Sequence, residues 1–199
     1  MPRVLLAFSL LVVSANAQVQ PERPKWLDDR SQFCAELAER TNRGPLPTLR
    51  NPKSIDFEQY KVRPIASPRS DEAVIGKDVV FDDRLFGNTV KAEAAKGPDF
   101  AGRYAVVLWT CGTWCTNATI ADVRTARTVQ LPFAGVIGCE RVTGEHRTIE
   151  RKADSRLMIV RGSLEIPNGD YLDEGPCGTF YYVWQQRRLR LIGCKLSEE

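Results

Sequence analysis

The chain has 199 residues, with 28 lysines and arginines against 25 aspartates and glutamates, so its formal net charge is +3. This length favours a single domain. The nearly balanced charge argues against nucleic acid as a partner. A local basic cluster, Arg187-Arg188-x-Arg190, is interpreted as a solvated hairpin tip.

The first seventeen residues have the pattern of a signal peptide. Arg3 is followed by an apolar run at residues 4–13 and by a small-x-small cleavage site at residues 15–17. The apolar run is too short to cross a bilayer core of about 30 Å, and no later segment is long enough. We therefore expect a periplasmic or secreted protein without a membrane span, with a flexible lead at 18–27 and one globular domain at 28–199.

The cysteine count indicates an oxidising compartment. An even number of cysteines behind a signal peptide is typical of a disulfide framework. Zinc is the alternative, but it needs short paired ligand spacings, and the one short pair has no histidine nearby. We therefore predict disulfides, no metal and no cofactor. The six residues are Cys34, Cys111, Cys115, Cys139, Cys177 and Cys194.

The first half of the chain predicts two short helices. Residues 29–41 carry apolar side chains at 3–4 spacing, and Gly44-Pro45 ends the helix. Residues 88–96 form a second helix, with Asn88 as its N-cap. Between the helices, short strands are predicted at 55–62, on a sheet edge between prolines, and at 78–81.

From Gly102 onward the apolar pattern has a period of two. Residues 103–110 are apolar on both faces, which predicts a strand in the centre of a sheet. A return strand follows at 117–123. Shorter strands are predicted at 128–131, 135–139, 146–151 and 156–161.

The last hairpin predicts a disulfide pairing. Strands at 179–184 and 187–193, joined by Gln185-Gln186, place Cys177 opposite Cys194. With Cys111–Cys115 as a local bridge, Cys34–Cys139 remains by elimination. The predicted fold is α+β, mainly β: an antiparallel β-meander sheet with one or two short N-terminal helices, stapled by disulfides.

Two linked motifs resemble a family. Phe100-Ala101-Gly102-x-Tyr104, followed by Trp109-x-Cys111-Gly112-Thr113-x-Cys115, is similar to a family of small exported bacterial proteins of uncharacterised function. The likeness covers most of the mature chain, including a later Ser155-Arg156-Leu157 strand. Relatives usually have His at Arg103, Gly at Thr110 and Gly at Ala126. The resemblance implies export and a single domain, and it transfers no catalytic residue.

The Cys111–Cys115 loop invites a redox interpretation. Thioredoxin-like thiols have two intervening residues and a helix N-terminus that lowers the thiol pKa. Here three residues intervene between two strands, so the sequence favours a structural disulfide that fixes the shape of the loop.

Catalytic patterns are weak. His146 is the sole histidine and lies in a predicted hairpin loop. An envelope hydrolase would need it together with carboxylates such as Asp122, Asp170 and Asp173. Asp170, Asp173 and Glu174 lack the alternate spacing of a calcium loop, so they are interpreted as a solvated acidic loop. No catalytic residue is predicted.

Surface recognition is the function that the sequence favours. Trp114 is predicted to lie at the exposed tip of the disulfide-closed loop, while Trp109 belongs to the packed strand. Exposed aromatic residues on rigid loops are typical binding anchors. We expect a non-catalytic binding or inhibitor-type domain of the bacterial envelope that uses Trp114, Arg103 and Thr113 to bind an unknown protein or envelope component. The alternatives are an envelope enzyme and a structural envelope protein.

Overall fold

The computed structural model describes residues 25, 29–42, 49–65, 83–125, 127–139, 148–168 and 171–197. The predicted signal peptide and the predicted strand at 78–81 lie outside these residues. Within these residues the structure has two α-helices, α1 (Arg30–Asn42) and α2 (Asp83–Ala95). The strands are β1 (Tyr104–Gly112), β2 (Cys115–Asp122), β3 (Thr128–Val129), β4 (Gly135–Ile137), β5 (Thr148–Arg151), β6 (Leu157–Asn168), β7 (Tyr171–Gln185) and β8 (Arg188–Leu196).

The strands form one antiparallel sheet. Its order is β1-β2-β4-β6-β7-β8, while β3 pairs with β2 and β5 pairs with β6. The predicted class, a mainly antiparallel β-sheet with two helices and disulfides, is confirmed. In the part of the chain that the structure describes, no helix is both long and apolar enough to cross a membrane.

The main core lies between α1 and one face of the sheet. Phe33 and Leu37 project from α1, and the Phe33 ring lies 6.1 Å from that of Phe180 on β7. Phe133 contacts Tyr182 with ring centroids 5.7 Å apart. Each fully buried large side chain of this kind stabilises the fold by about 1.5–3 kcal/mol.

Two separate segments of the described chain cover parts of the opposite face. Ile55 and Tyr60 pack over β6, β7 and β8. Val90 of α2 packs on Val107 and Ala121, over the first part of β1 and β2. The part of this face between the Ile55–Tyr60 cluster and the Val90 cluster belongs to neither of them.

The predicted strand at 55–62 is wrong. The segment forms two 3-10 turns, Pro52–Ser54 and Phe57–Tyr60. Asn51 accepts a hydrogen bond from the Lys53 N–H and Asp56 accepts one from the Gln59 N–H. Such local side-chain bonds compete with extended structure, and only Lys61 forms a β-bridge, to Ser155.

The start of α2 also differs from its prediction. The helix begins at Asp83, five residues before the predicted cap, so Asn88 lies inside it. Its end agrees with the prediction: Gly97 adopts φ 95° and its N–H donates to the Ala94 carbonyl at 3.1 Å. Glycine takes this left-handed conformation without a Cβ clash.

β1 lies at one end of the strand order, so its predicted central position is wrong. Its first part, from Tyr104 to Val107, is buried on both faces because the main core covers one face and α2 covers the other. A helix, and not a second neighbouring strand, accounts for the apolar pattern.

The β7–β8 hairpin turns one residue later than predicted. Gln185 pairs with Arg188, and the turn residues Gln186 and Arg187 both have positive φ, 51° and 60°. That pair of angles matches the right-handed twist of hairpin strands. A bulge at Tyr181/Tyr182 shifts the register further, so that Cys194 lies opposite Phe180. Arg187 and Arg188 are exposed, as predicted for the arginine cluster, whereas Arg190 is half-buried on β8.

All six cysteines form disulfides, as predicted, but two of the three predicted pairings are wrong. The bridges are Cys111–Cys115, Cys34–Cys194 and Cys139–Cys177, with Cα atoms 5.1, 5.8 and 6.0 Å apart. The shifted hairpin register separates Cys177 from Cys194. Cys194 instead meets α1, which packs on β8, and ties that helix to the end of the sheet.

Two measurements test this framework. Peptide mapping of the oxidised protein should join Cys34 to Cys194 and Cys139 to Cys177.

Replacing Cys34 and Cys194 by serine opens a loop with a sequence separation of 160, so the unfolding free energy should fall by up to about 5 kcal/mol. The matched Cys111/Cys115 double serine variant, whose separation is 4, should lose about 2 kcal/mol. Equal losses in urea melts would contradict this assignment of the long-range bridge.

Candidate functional site

The tip of the β1–β2 hairpin is a tight turn closed by a disulfide. Thr110 pairs with Thr116 and Gly112 pairs with Cys115, which leaves Cys111 as the extra residue of a bulge. The bulge lets Cys111 bridge to Cys115 around the turn residues Thr113 and Trp114. The turn is held to the sheet because the Trp114 carbonyl accepts the Gly138 N–H at 2.8 Å.

Apolar exposure is concentrated on this half of the hairpin. Trp114 is 45% exposed and Leu108 is 36% exposed, the two large apolar side chains exposed among the described residues. Thr113 is also exposed. The predicted exposure of Trp114 is therefore confirmed, and its role in binding stays a prediction.

The outer edge of β1 is closed at one end by Asp99. The Val106 N–H points away from β2 and donates to Asp99 Oδ1 at 2.8 Å. Asp99 Oδ2 in turn accepts from Arg151 Nε at 2.8 Å and lies 2.6 Å from its Nη2. The first part of this edge therefore has its backbone donor satisfied by a side chain that an ion pair holds in place.

The same edge is open farther along. N–H direction alternates along a strand, so the N–H groups of Leu108 and Thr110 point the same way as that of Val106. Both residues are exposed, and in the described ranges no strand besides β2 pairs with β1. In the distal half of β1, from Leu108 to Gly112, the outward backbone groups of Leu108 and Thr110 are therefore accessible. Gly112 is already bonded, since its N–H donates to the Thr110 hydroxyl oxygen at 3.3 Å and its carbonyl accepts from that hydroxyl group at 2.9 Å.

Arg103 lies at the other end of the hairpin. Its Nε donates to Asp122 Oδ1 at 3.0 Å and its Nη2 lies 2.6 Å from Oδ2, while the Asp122 side chain is only 4% exposed. Hydrogen bonding to Asp122 raises the pKa of Arg103. The structure does not bring Arg103 to the Trp114 turn. The Arg103–Asp122 ion pair instead joins the start of β1 to the end of β2.

Of the remaining predicted acid–base residues, the structure describes the side chains of Asp122 and Glu174. His146 and Asp170 lie outside the described residues, and so does the side chain of Asp173. Asp122 is engaged by Arg103 and by the Arg124 N–H at 3.0 Å. Glu174 is exposed and lies on β7.

A row of directly opposed residues crosses five strands beside the disulfide. It was not predicted from the sequence. The register pairs Trp109 with Asn117, Asn117 with Gly135, Gly135 with Glu165 and Glu165 with Glu174. This row lies on the face away from the main core, because the neighbours Leu164 and Ile166 point into that core.

Gly135 makes the row possible. A Cβ at this position would lie 2.2 Å from Glu165 Oε2 and 2.7 Å from an atom of the Asn117 amide. The missing side chain therefore leaves room for both polar groups. The Asn117 oxygen accepts from Trp109 Nε1 at 3.3 Å and its nitrogen donates to the Ala134 carbonyl at 3.2 Å.

Glu165 contacts the disulfide. Its Oε2 lies 3.6 Å from Cys115 Sγ, and one atom of the Asn117 amide lies 4.0 Å from the same sulfur. Burial raises the pKa of the Glu165 carboxyl group, and the charge of Glu174 raises it further. A sequence signal existed: Glu165 is a charged residue between two apolar residues inside a strand.

Cys111, Cys115 and Glu165 place three metal-binding atoms within 4.8 Å of one another. The two sulfurs are bonded to each other in this structure, so neither is available as a thiolate, which is the form that binds metal.

A separate cleft of about 620 Å³ lies between α1, the β3–β4 connection and the β7–β8 tip. Its floor is apolar, with Leu37, Leu131 and Ile166, and Arg40 and Arg188 line it. No histidine, cysteine or carboxylate lines it among the described residues, so it offers no acid–base pair.

Comparison with known proteins adds no assignment: no protein-family model, curated protein or solved structure matches the chain. The resemblance drawn from the two motifs stays a prediction.

The two tryptophans of the hairpin provide a matched pair of variants. Trp109 is half-buried against Val90, Val107 and Ala121, whereas Trp114 lies on the turn. Trp109→Ala should lower the unfolding free energy by about 2–3 kcal/mol, somewhat less than a fully buried tryptophan. Trp114→Ala should change it by less than about 1 kcal/mol. Urea melts measure both, and equal losses would place Trp114 in the core.

Proposed function

We propose that the protein is a non-catalytic binding domain of the bacterial envelope, periplasmic or secreted, which binds an extended segment of a partner protein along the distal half of β1. The observation that carries this proposal is the open edge at Leu108 and Thr110, on the same hairpin as the exposed Trp114. The predicted signal peptide and the three disulfides support an extracytoplasmic location.

Strand addition is the binding mode that this geometry supports. A peptide that adds to a sheet edge gains main-chain hydrogen bonds, and side-chain pockets add specificity. On β1 the outward N–H groups of Leu108 and Thr110 would bond the peptide. The Asp99 contact with Val106 would mark where the added strand ends.

The apolar side chains on this half of the hairpin support the same role. Large aromatic residues held on rigid turns lose little conformational entropy on binding. Trp114 is held by the disulfide and by the bond between its carbonyl and Gly138. Leu108 contributes a second apolar contact on the open strand.

The enzyme alternative has weaker support. It requires His146 together with a carboxylate, and Asp122, the described candidate, is nearly fully buried in its pair with Arg103. A carboxylate that is shielded from solvent and held by two guanidinium nitrogens is not placed to exchange protons with a substrate.

Site-specific photo-crosslinking in the cells that produce the protein tests the proposal. Crosslinkers placed at Leu108 and at Trp114 should capture the same envelope protein. A crosslinker at the exposed Arg187, on the β7–β8 tip, is the control and should not capture it. Capture of one protein from all three positions, or of nothing from the two hairpin positions, would contradict the proposal.

A pair of variants at Thr110 then tests strand addition itself. Both variants lose the Thr110 hydroxyl group, which bonds the Gly112 backbone, and the γ-methyl group. Thr110→Pro also removes the outward N–H, whereas Thr110→Ala keeps it. Loss of one peptide hydrogen bond should weaken capture from Trp114 about tenfold in the proline variant. Equal capture by the two variants would show that the edge backbone does not bind the partner.

A further inference from the structure

The Cys111–Cys115 disulfide differs from the other two in its surroundings. Cys111 is exposed, whereas its partner Cys115 and the cysteines Cys34, Cys177 and Cys194 are half-buried and Cys139 is only 3% exposed. Attack on a disulfide requires a sulfur that a thiolate can reach. The hairpin tip provides that sulfur at Cys111.

The leaving sulfur has an acid beside it. Glu165 Oε2 lies 3.6 Å from Cys115 Sγ, in the gap left by Gly135. A disulfide sulfur carries no hydrogen, so this contact is a hydrogen bond only when the carboxyl group is protonated. Burial and the neighbouring Glu174 both raise the pKa of Glu165 and so favour the protonated form.

We propose that Cys111–Cys115 is a thiol–disulfide exchange site in which Glu165 donates a proton to Cys115 during reduction and accepts it again during oxidation. The co-reactant is a dithiol that reaches the hairpin tip. This activity does not depend on the peptide-binding role, because it needs only the disulfide and the Glu165 contact.

The chemistry balances in two steps. A thiolate of the dithiol attacks Cys111 Sγ, a mixed disulfide forms, and the Cys111–Cys115 bond breaks. Cys115 leaves with the electron pair and takes the proton of Glu165. The second thiol of the reductant then loses its proton to water, attacks its own mixed-disulfide sulfur and releases the Cys111 thiolate, which takes up a proton from water. The dithiol is oxidised to its cyclic disulfide, and the protein disulfide is reduced to two thiols.

The groups that face Glu165 define its pH response. From β7 it faces the carboxylate of Glu174, directly opposite in the register. From β4 it faces Gly135, and from β2 it faces Cys115 and Asn117, none of which is charged in the disulfide form. The described residues therefore place one charge against Glu165, and that charge is negative.

The test is native-state reduction of the mature protein by dithiothreitol across pH 4–9, with a chelator present. Samples are acid-quenched and alkylated, and mass spectrometry follows each disulfide separately. Cys111–Cys115 should be reduced at least about tenfold faster than Cys34–Cys194 and Cys139–Cys177, which serve as internal controls. Rates are divided by the thiolate fraction of the reagent, so that they report on the protein alone.

The pH profile separates proton donation from simple accessibility. The corrected wild-type rate should fall about tenfold as the pH rises and Glu165 loses its proton, a modest effect because a thiolate is already a good leaving group. Glu165→Gln should show the low, flat profile. Glu174→Gln should keep the fall but move it to lower pH, because removing the Glu174 charge lowers the pKa of Glu165.

Two results would overturn the proposal. A flat wild-type profile would show that Glu165 donates no proton, and this result does not depend on whether any variant folds. A faster Glu165→Gln rate at every pH would show that the carboxylate only repels the incoming thiolate.

Discussion

An open sheet ends in two rows of backbone N–H and C=O groups, and the rest of this structure depends on how those rows are satisfied. On β8 the side chain of Asn42 replaces a neighbouring strand: its Nδ2 donates to the Leu191 carbonyl at 3.1 Å and its Oδ1 accepts the Leu191 N–H at 2.9 Å. The Arg50 N–H donates to the Ile192 carbonyl at 2.7 Å. The disulfide from Cys34 to Cys194 holds α1 against β8 and so keeps Asn42 in place.

At the opposite end of the sheet, the outer edge of β1 is satisfied in its first part and open in its second part. Asp99 closes β1 at Val106, and α2 covers the adjoining face through Val90. Beyond Val107 only Trp109 still packs against this α2 cover, and the other residues of the strand are exposed. The disulfide-closed turn fixes this exposed half in one shape, and its neighbour on the sheet face is the polar row that contains Glu165. The two proposed roles thus concern different parts of one hairpin: its edge backbone and its disulfide.

Most strands and both helices were predictable from the sequence, because each has a clear apolar period or a clear stop. The order of the strands was not. Residues 103–110 are apolar on both faces, and from periodicity alone such a strand is assigned to the centre of a sheet. A helix that packs on an end strand produces the same apolar pattern. The disulfide pairing failed for a related reason. It rested on the register of the last hairpin, and positive φ at Gln186 and Arg187, with a bulge at Tyr181/Tyr182, changed that register.

The candidate site was predictable only in part. Trp114 and the Cys111–Cys115 bridge follow from local spacing, so the sequence placed them correctly. Arg103 was predicted to bind a partner together with Trp114, and the structure instead pairs it with Asp122, a residue nineteen positions away. Glu165 and Asn117 belong to strands that meet only through β4, so their proximity to Cys115 depends on long-range register that periodicity does not contain.

Amide hydrogen exchange tests the central claim, that the distal edge of β1 is open while the other edge positions are satisfied. The amides of Val106 and Leu191, which donate to Asp99 and Asn42, should exchange slowly. The amides of Leu108 and Thr110 should exchange at least about a hundredfold faster, as expected for local exposure without global unfolding. Equal protection at all four positions in the isolated protein would show that another part of the chain already covers the edge, and the account of β1 as an open binding strand would be wrong.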